Sequence, residues 1–287
     1  MSRPGSQVHL YAQVWNEAAL LPAFFRHYDP VVTHYTIFDD GSDDGTLEIL
    51  AAHPRVAVLS FPRSDPESFV ASERVLSNRC WKDSRGQADW VIVTDVDEFL
   101  VHPDLPGYLT RAHAAGVTAV PALGFQLISE TTWPADRSPV DVETGAAWAQ
   151  MLKISVFDPD AITDIGYGPG RHEADPVGAV VLPERDEMAL LHAKFLGRIE
   201  SLARQHGLGR RLGDRDRAEG WGVEYQFARS RFDVEFDRML AGAGELGAWR
   251  AGHDYPLTPW WSARDYPRVA VPTTSITRST SDGVRPG

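Results

Sequence analysis

An apolar strand followed directly by carboxylates is the part of this sequence best suited to chemistry. Residues 90–94 form the apolar run WVIVT, and Asp95, Asp97 and Glu98 follow it. Because side chains in a strand alternate between its two faces, Asp95 and Asp97 are expected to point the same way and to close on one cation. A hard divalent ion such as Mg²⁺ or Mn²⁺ binds one or two carboxylates and completes its shell with substrate phosphate oxygens. The pattern therefore predicts a metal site that binds a phosphate or diphosphate.

The same carboxylates also fit a simpler structural interpretation. Pro103 and Asp104 follow them, so the strand could end in a solvated loop that caps the next helix. Earlier in the chain, a second apolar run ends in Asp39 and Asp40. Two acidic strand ends in one sequence favour a binding site over an isolated surface loop.

Length and composition fit one large α/β domain. The chain has 287 residues, 43% hydrophobic and 24% charged, which is enough for a substantial core. The formal net charge of -12 argues against nucleic acid or an anionic membrane surface as the main partner. The single cysteine, Cys80, excludes an intrachain disulfide, and no apolar run reaches the roughly 18 residues of a membrane span. We expect a cytoplasmic protein without an integral membrane segment.

The elements that must position these carboxylates alternate between strands and helices. Apolar runs predict strands at 8–14, 33–38, 56–61 and 90–94, and helical spacing of apolar residues follows each of the first three. This alternation predicts a mostly parallel sheet with helices on both faces, in which ligands bind outside the carboxyl ends of the strands. Both acidic groups lie at such ends.

The turn after the second strand has the sequence DDGSDDGT at residues 39–46. It is not a calcium-binding loop, because counting from Asp40 places Ser42 at the third position and Ala51 at the twelfth, where that loop needs oxygen ligands. It is not a phosphate-binding Walker loop either, since it lacks Gly-Lys followed by Ser or Thr. A tight turn that leads into a helix and presents its first carboxylates to a ligand remains.

Three motifs resemble, in order and spacing, those of family 2 glycosyltransferases and their family 92-like relatives, which have the GT-A fold. They are VWNE at 14–17, FDDGSDDGT at 38–46 and DVDEF at 95–99, and the resemblance covers about the first 105 residues. It implies a nucleoside diphosphate sugar as donor, with a UDP-sugar favoured, and Mn²⁺ or Mg²⁺ as cofactor.

The resemblance also implies roles for individual residues. Contacts to base and ribose are implied for four polar residues of the first two motifs: Asn16, Glu17, Asp39 and Asp40. Of these, Asp40 is favoured for the base. The implied metal ligands are two carboxylates and a histidine: Asp95, Asp97 and His192. Lys194 would contact the diphosphate. A hydrogen-bonded structural histidine is an equally good interpretation of His192.

The second half of the chain contains candidates for a catalytic base. The resembled families invert the anomeric centre, which requires a general base at the acceptor, and their usual pair of acids is not evident here. The candidates are three residues of a glycine-rich segment and one earlier acid: His172, Glu173, Asp175 and Glu130. Segment 126–148 is predicted to be a long irregular loop. Segment 207–220, rich in Arg and Gly, either closes over the diphosphate or is a solvated turn.

We therefore predict an α/β, GT-A-type domain at 1–267, with a mostly parallel central sheet and a C-terminal helical extension. Its nucleotide-binding half is 1–105, its acceptor and metal half is 106–267, and residues 268–287 are predicted to be a disordered tail. The predicted activity is metal-dependent glycosyl transfer, with inversion. Two alternatives stay open: a non-catalytic GT-A-like domain that binds a nucleotide or glycan, and a haloacid dehalogenase-type phosphatase, whose strand also ends in D-x-D.

Overall fold

The computed structural model describes residues 6–132, 137–246 and 255–273 of the chain. Within these ranges, one mixed sheet of ten strands and two small sheets of two strands each are flanked by helices. The strands are β1 (Val8–Val14), β2 (His34–Asp39), β3 (Val56–Ser60), β4 (Trp90–Val93), β5 (Glu98–Val101), β6 (Ala119–Ser129), β7 (Thr144–Ala147), β8 (Lys153–Phe157), β9 (Ile162–Asp164), β10 (Val177–Gly178), β11 (Leu182–Pro183), β12 (Met188–Leu196), β13 (Gly244–Glu245) and β14 (Arg268–Val269). The helices are α1 (Leu21–Tyr28), α2 (Thr46–Ala52), α3 (Phe69–Ser77), α4 (Leu105–Ala114), α5 (Arg198–Gly209), α6 (Asp214–Ala218) and α7 (Arg229–Ala241).

The first four strands form the parallel part of the large sheet. They lie in the order β3, β2, β1, β4, and each pair of neighbours is parallel. Parallel neighbours need crossover connections, and α1, α2 and α3 provide them. The predicted positions of these four strands are confirmed to within one residue at each end.

The remainder of the sheet is mixed. β8 pairs antiparallel with both β4 and β6, while β12 pairs parallel with β6 and antiparallel with β5. Helices α5, α6 and α7 follow β12 and form the predicted C-terminal helical part. The predicted α/β class is confirmed: a large mixed sheet is flanked by helices.

The alternation of side chains along the central strands divides the core into two layers. In β4, Trp90 and Ile92 pack on one face of the sheet with α1 and α4. Val91 and Val93 pack on the other face with α3 and with Trp81, which precedes the strand. A strand covered by helices on both faces has no solvent-exposed side, which explains its uninterrupted apolar sequence.

Segment 126–148 is not one long loop, so that prediction was wrong. β6 continues to Ser129, and β7 lies within the segment and pairs antiparallel with β6. Pro121 and Gly124 break the strand pattern in the sequence, yet both fit the observed strand. Pro121 lies at a register shift in the pairing with β8, and a Cβ at Gly124 would be 2.3 Å from the carbonyl carbon of Met151. Residues 133–136 of the segment lie outside the described residues.

The C-terminal segment is anchored on the domain. Trp261 is fully buried, and its indole N–H donates to Asp186 Oδ2 at 3.0 Å. Within the predicted tail 268–287, Arg268–Val269 form β14, which pairs with β11, and residues 274–287 lie outside the described part of the chain. In that described part, no helix has the length and apolar character needed to cross a membrane.

A buried ion cluster joins β5, β8 and the glycine-rich segment before His172. Glu98 Oε1 accepts from Lys153 Nζ at 2.6 Å, and Glu98 Oε2 accepts from Arg171 Nη2 at 2.8 Å. All three side chains are at most 2% exposed. Burial opposes ionisation of Glu98, but Lys153 and Arg171 outweigh it and lower its pKa to about 2. The cluster fixes Glu98, the first residue of β5, directly after the turn that carries Asp95 and Asp97 and is called the acidic turn below.

Replacing Lys153 with Met should destabilise the protein strongly, because Glu98 would lose one of its two buried cationic partners. We expect the free energy of unfolding to fall by about 3 to 5 kcal/mol, measured by urea denaturation. Lys82→Met is the matched control, since Lys82 pairs with Asp164 at 3.4 Å on the surface. The control should change stability by less than about 1 kcal/mol. Equal effects of the two substitutions would contradict this account.

Candidate functional site

The two aspartates singled out by the sequence lie in a turn, not in a strand. β4 ends at Val93 and β5 begins at Glu98, so the expected alternation of strand faces does not apply to Asp95 and Asp97. The turn is closed by Glu98, whose Oε2 accepts from the Asp95 N–H at 3.2 Å and from the Thr94 hydroxyl at 3.1 Å. Because β1 and β4 are parallel neighbours, this turn lies at the same sheet edge as the VWNE motif.

Asp95 is held by a buried arginine. Arg171 donates from Nη1 to Asp95 Oδ1 at 3.1 Å and from Nη2 to Asp95 Oδ2 at 2.9 Å, so that both carboxylate oxygens are bound. Arg171 also donates to Glu73 Oε1 at 3.2 Å, and it has a positive φ of 56°, which is rare for a residue with a Cβ. The Asp95 side chain is 32% exposed and lines the cavity described below.

Asp97 and His192 converge on one point. Asp97 Oδ2 lies 3.3 Å from His192 Nε2, and both side chains are largely buried. His192 Nδ1 lies 2.7 Å from Gln126 Oε1, while the Gln126 amide donates to two backbone carbonyls. Nδ1 must therefore donate to Gln126, which turns Nε2 toward Asp97. In the sheet, His192 lies opposite Glu98 on one side and Gln126 on the other.

Arg204 of α5 bridges the acidic turn and the VWNE motif. It donates from Nη1 to Asp97 Oδ2 at 2.7 Å and from Nη2 to Glu17 Oε1 at 2.5 Å. Burial opposes ionisation of Asp97, but Arg204 and His192 outweigh it and hold its pKa well below the ordinary value. At Glu17 burial dominates over the same arginine, and the pKa rises to about 7.

These groups line one cavity of ≈ 430 Å³ at the carboxyl ends of β1 and β4. Its cationic side chains are Lys153, Lys194, Arg204, Arg211 and Arg238, and its histidines are His172 and His192. Aromatic rings from several elements complete the wall: Trp15, Phe69, Trp148, Phe195, Tyr225, Phe227 and Phe232. A concave site with an apolar wall and a few convergent charged groups is typical of small-molecule binding.

The five residues predicted to contact the nucleotide do not all line the cavity. Glu17 and Lys194 line the cavity. Asn16 and Asp39 instead stabilise the turn at 39–46: Asn16 Oδ1 accepts from the Asp43 N–H at 2.8 Å, and Asp39 Oδ2 accepts from the Gly41 N–H at 2.9 Å. These contacts explain the local sequence of the turn.

Asp40 reaches the cavity through an arginine. Its Oδ2 accepts from Arg211 Nε at 2.8 Å, and its two oxygens accept from Arg63. The Arg211 guanidinium lies 4.0 Å from the ring centre of Phe69 and 5.6 Å from that of Trp15. The Arg211 guanidinium is thus stacked on the Phe69 ring and hydrogen-bonded to Asp40.

The candidates for a catalytic base are not brought together. His172 lines the cavity with the acidic turn, and its Nδ1 lies 2.7 Å from the Gln150 carbonyl. Glu173 and Asp175 line a separate pocket with Trp260 and Arg264. Glu130 is exposed and paired with Arg198. Burial first, and then Lys153, lower the pKa of His172 to about 4, so the ring is neutral at pH 7.

Two of the three predicted metal ligands, Asp97 and His192, lie side by side, although Arg204 also donates to the Asp97 oxygen that faces the histidine. Asp97 Oδ2 and His192 Nε2 face each other, and Gln126 holds the ring as the outer partner of a ligating histidine does. Asp95 does not fit as a free ligand, because both of its oxygens are bound by Arg171. Among residues 6–132, 137–246 and 255–273, no group of three His, Cys, Asp or Glu side chains is arranged to hold a metal. A site here needs ligand oxygens from a substrate.

Sequence reasoning missed three residues that shape this site, namely Gln126, Lys153 and Arg204, and it named Glu98 without giving it a role. Lys153 gave a signal, since a lysine that begins an apolar strand needs a buried partner. Arg204 gave none, because a single arginine in an amphipathic helix is ordinary.

Comparisons with known proteins add little. No protein-family model matches the chain, and no curated protein matches it. Solved structures of TarS residues 1–349 from S. aureus match with 12% identity and a TM-score of 0.29, and over 53% of this chain and 47% of that one. The corresponding TarS complexes with UDP-GlcNAc and UDP match at 11% and 12% identity with TM-scores of 0.31 and 0.32. The chain thus matches less than half of these structures, and similarity at this level supports no statement about function.

The raised pKa of Glu17 predicts an unusual pH dependence of stability. Its pKa is about 7 in the folded protein, against an ordinary value of 4.5. Between these values the folded state binds more protons than the unfolded state, so the contribution of Glu17 to stability is lost as the pH rises. From pH 5 to pH 8, the wild type should lose about 2 to 3 kcal/mol more than Glu17→Gln, measured by urea denaturation. Parallel pH profiles would contradict the raised pKa.

Proposed function

We propose that the chain is a metal-dependent glycosyltransferase that moves a sugar from a nucleoside diphosphate sugar to an acceptor. One observation supports the proposal: the Asp97–His192 pair and several cationic side chains line a single cavity at the carboxyl ends of parallel strands. A diphosphate donor needs this combination of a cation site and positive charge, which the net charge of -12 would otherwise oppose. A UDP-sugar is the first donor to test, on the basis of the sequence motifs.

The diphosphate is assigned to the side of the cavity lined by Lys194, Arg204 and Arg211. Lys194 is only weakly engaged, since its Nζ lies 3.6 Å from Glu224 Oε1 and 4.5 Å from the ring centre of Tyr225. Ammonium and guanidinium groups in a partly buried cavity bind phosphate oxygens through charge-assisted hydrogen bonds.

The nucleobase is assigned to the end of the cavity formed by Trp15, Phe69 and Arg211. The Arg211 guanidinium stacks on Phe69 and donates to Asp40. A nucleobase resembles a guanidinium in being planar and in carrying N–H donors, so the same aromatic surface suits it. In this proposal the base stacks on the aromatic side chains at this end. Asp40 does not contact the base itself but holds Arg211, which lines the cavity, in position.

Asp97 and His192 would hold the divalent cation, and Arg171 positions the turn through Asp95. When bound, Mn²⁺ or Mg²⁺ supplies Lewis-acid stabilisation of the charge on the leaving diphosphate. Glu98 and Gln126 keep the two ligands in place from β5 and β6, so the protein side of the site is preorganised.

His172 is the base candidate that the geometry supports best. Its Nδ1 donates to the Gln150 carbonyl, which leaves Nε2 as a proton acceptor on a ring that is neutral at pH 7. Transfer with inversion needs such an acceptor at the hydroxyl of the incoming group. Glu173 and Asp175 stay secondary candidates because they line the other pocket.

The donor site is tested by binding. Thermal stability of the wild type should rise with UDP or a UDP-sugar in the presence of Mn²⁺, and a ligand at about 100 times its dissociation constant adds roughly 2.7 kcal/mol. Asp97→Asn should abolish the Mn²⁺-dependent part, because the carboxylate is the proposed ligand. Asp175→Asn, a matched substitution in the other pocket, should respond like the wild type. If no nucleotide stabilises the wild type, the donor assignment fails.

The base is tested by turnover. His172→Gln should lower turnover by about 10²- to 10⁴-fold with donor binding retained, since the proton acceptor at the acceptor hydroxyl would be lost. Glu173→Gln is the control and should retain most of the activity. The measurement is release of nucleoside diphosphate under saturating donor. The reverse order of effects would reassign the base to Glu173.

A non-catalytic role in nucleotide binding is the second candidate. It is favoured by the ion pairs that hold both aspartates of the turn, Asp95 to Arg171 and Asp97 to Arg204. Nucleotide binding without release of nucleoside diphosphate, with every acceptor class supplied, would support this candidate over the enzyme.

A further inference from the structure

Gln205 of α5 carries a buried side-chain amide without a partner in the protein. The residue is only 3% exposed, and it lines the cavity. Neither the oxygen nor the nitrogen of its amide makes a hydrogen bond with any residue that the structure describes. Leaving the donors and the acceptor of a buried amide unpaired costs free energy, and most buried amides are therefore hydrogen-bonded. An unpaired amide on the cavity wall indicates a ligand that supplies the missing partners.

Gln126 has the same burial but an amide that is fully paired. It is also 3% exposed and lines the same cavity. Its Oε1 lies 2.7 Å from His192 Nδ1, and its Nε2 donates to the carbonyls of Leu127 at 2.9 Å and of His192 at 2.8 Å. Burial in this cavity thus does not by itself leave an amide unpaired. The protein satisfies one glutamine internally and leaves the other one open.

The geometry of α5 places Gln205 on the side of the helix away from the proposed nucleobase end. Residues two apart in an α-helix lie on nearly opposite sides, and residues four apart lie on the same side. A Cβ at Gly207 would lie 3.0 Å from the Trp15 ring, whereas a Cβ at Gly209 would lie 2.7 Å from the Tyr225 carbonyl oxygen. Gln205 therefore shares its side of the helix with Tyr225 and not with Trp15.

The group bound beside Gln205 would lie beyond the diphosphate from the base. Lys194 is on the same side of the cavity, since its Nζ lies 4.5 Å from the ring centre of Tyr225. Lys194 and Arg204 are assigned to the diphosphate, so the transferred sugar belongs here. A sugar hydroxyl both donates and accepts hydrogen bonds, as the amide does, whereas an ionised phosphate oxygen only accepts. Sugar hydroxyls can therefore pair with both the oxygen and the nitrogen of the amide.

We propose that Gln205 binds hydroxyl groups of the transferred sugar and determines which sugar the site accepts. The inference rests on the proposed function for the identity of the ligand, whereas the unpaired amide in the cavity does not depend on it. A site that contains a buried hydrogen-bonding group rejects analogues that cannot pair with that group. Gln205 thus provides selectivity for the ligand, and it lowers the stability of the unliganded protein.

The unpaired amide is tested by stability without any ligand. Gln205→Met should raise the melting temperature by about 2 to 4 °C, measured by calorimetry, because methionine fills a similar volume and leaves no donor or acceptor unpaired. Gln126→Met is the matched control and should lower the melting temperature, because three hydrogen bonds are lost. If Gln205→Met does not fold or does not raise the melting temperature, the proposal is overturned.

The sugar contact is tested by titration calorimetry in buffer that contains Mn²⁺. The probes are UDP, UDP-glucose, UDP-galactose and UDP-GlcNAc. Gln205→Met should bind UDP as the wild type does, and it should bind the preferred UDP-sugar about tenfold more weakly or worse, because the hydroxyl partner is lost. Equal weakening of UDP and the UDP-sugar, or no weakening of either, would overturn the assignment to the sugar.

Selectivity is tested with the same three UDP-sugars, which differ in the orientation or substitution of single hydroxyl groups. The wild type should prefer one of them by about tenfold or more, and Gln205→Met should reduce this preference to less than about threefold. No preference in the wild type, or a preference that the variant retains, would overturn the proposal. If the wild type binds none of the four compounds, the UDP-sugar donor fails and the assignment of Gln205 with it. If the wild type binds them and Gln205→Met leaves the affinities unchanged, only the assignment of Gln205 fails.

Discussion

The burial of Glu98 with Arg171 and Lys153 is the constraint on which the rest of the site depends. Charges removed from water are tolerated only when each keeps its partners, so these three side chains fix one another in position. Arg171 extends the cluster to Asp95 and Glu73. Burial raises the pKa of Glu73, and the charge of Asp95 adds to this effect while Arg171 opposes it. The acidic turn is thus held by charge balance.

The same principle of local neutrality extends across the cavity. Asp97 is balanced by Arg204, Asp40 by Arg211 and Arg63, and Asp95 by Arg171. A chain with a net charge of -12 can therefore present a region that does not repel an anion. Apart from Arg63, which follows β3, the arginines come from α5, from the segment after it and from the glycine-rich segment, whereas the acids come from the parallel half of the sheet and the turn after it. The two halves of the chain meet at the cavity through these pairs.

The parallel half of the fold was predictable because its signals are local. Strands β1 to β4 are short apolar runs with clear turn residues between them, and the turn at 39–46 is stabilised by its own side chains and Asn16. The ion pairs of the site were not predictable, since they join residues distant in sequence. Arg171 and Asp95 are separated by 76 positions, and Arg204 and Asp97 by 107. The acidic pair was found by its spacing, but its geometry was misjudged because the strand ends at Val93 and both aspartates lie in the turn beyond it.

The position of β12 between β5 and β6 ties the site to the sheet itself. Glu98, His192 and Gln126 form a row across three adjacent strands. A slip of β12 by one residue would turn the imidazole to the opposite face of the sheet and remove it from the row. The approach of His192 to Asp97 therefore cannot be lost gradually while the sheet remains intact. Backbone amides of this row should exchange with solvent only when the whole domain unfolds. The arrangement of side chains in the cavity should therefore persist for as long as the domain stays folded.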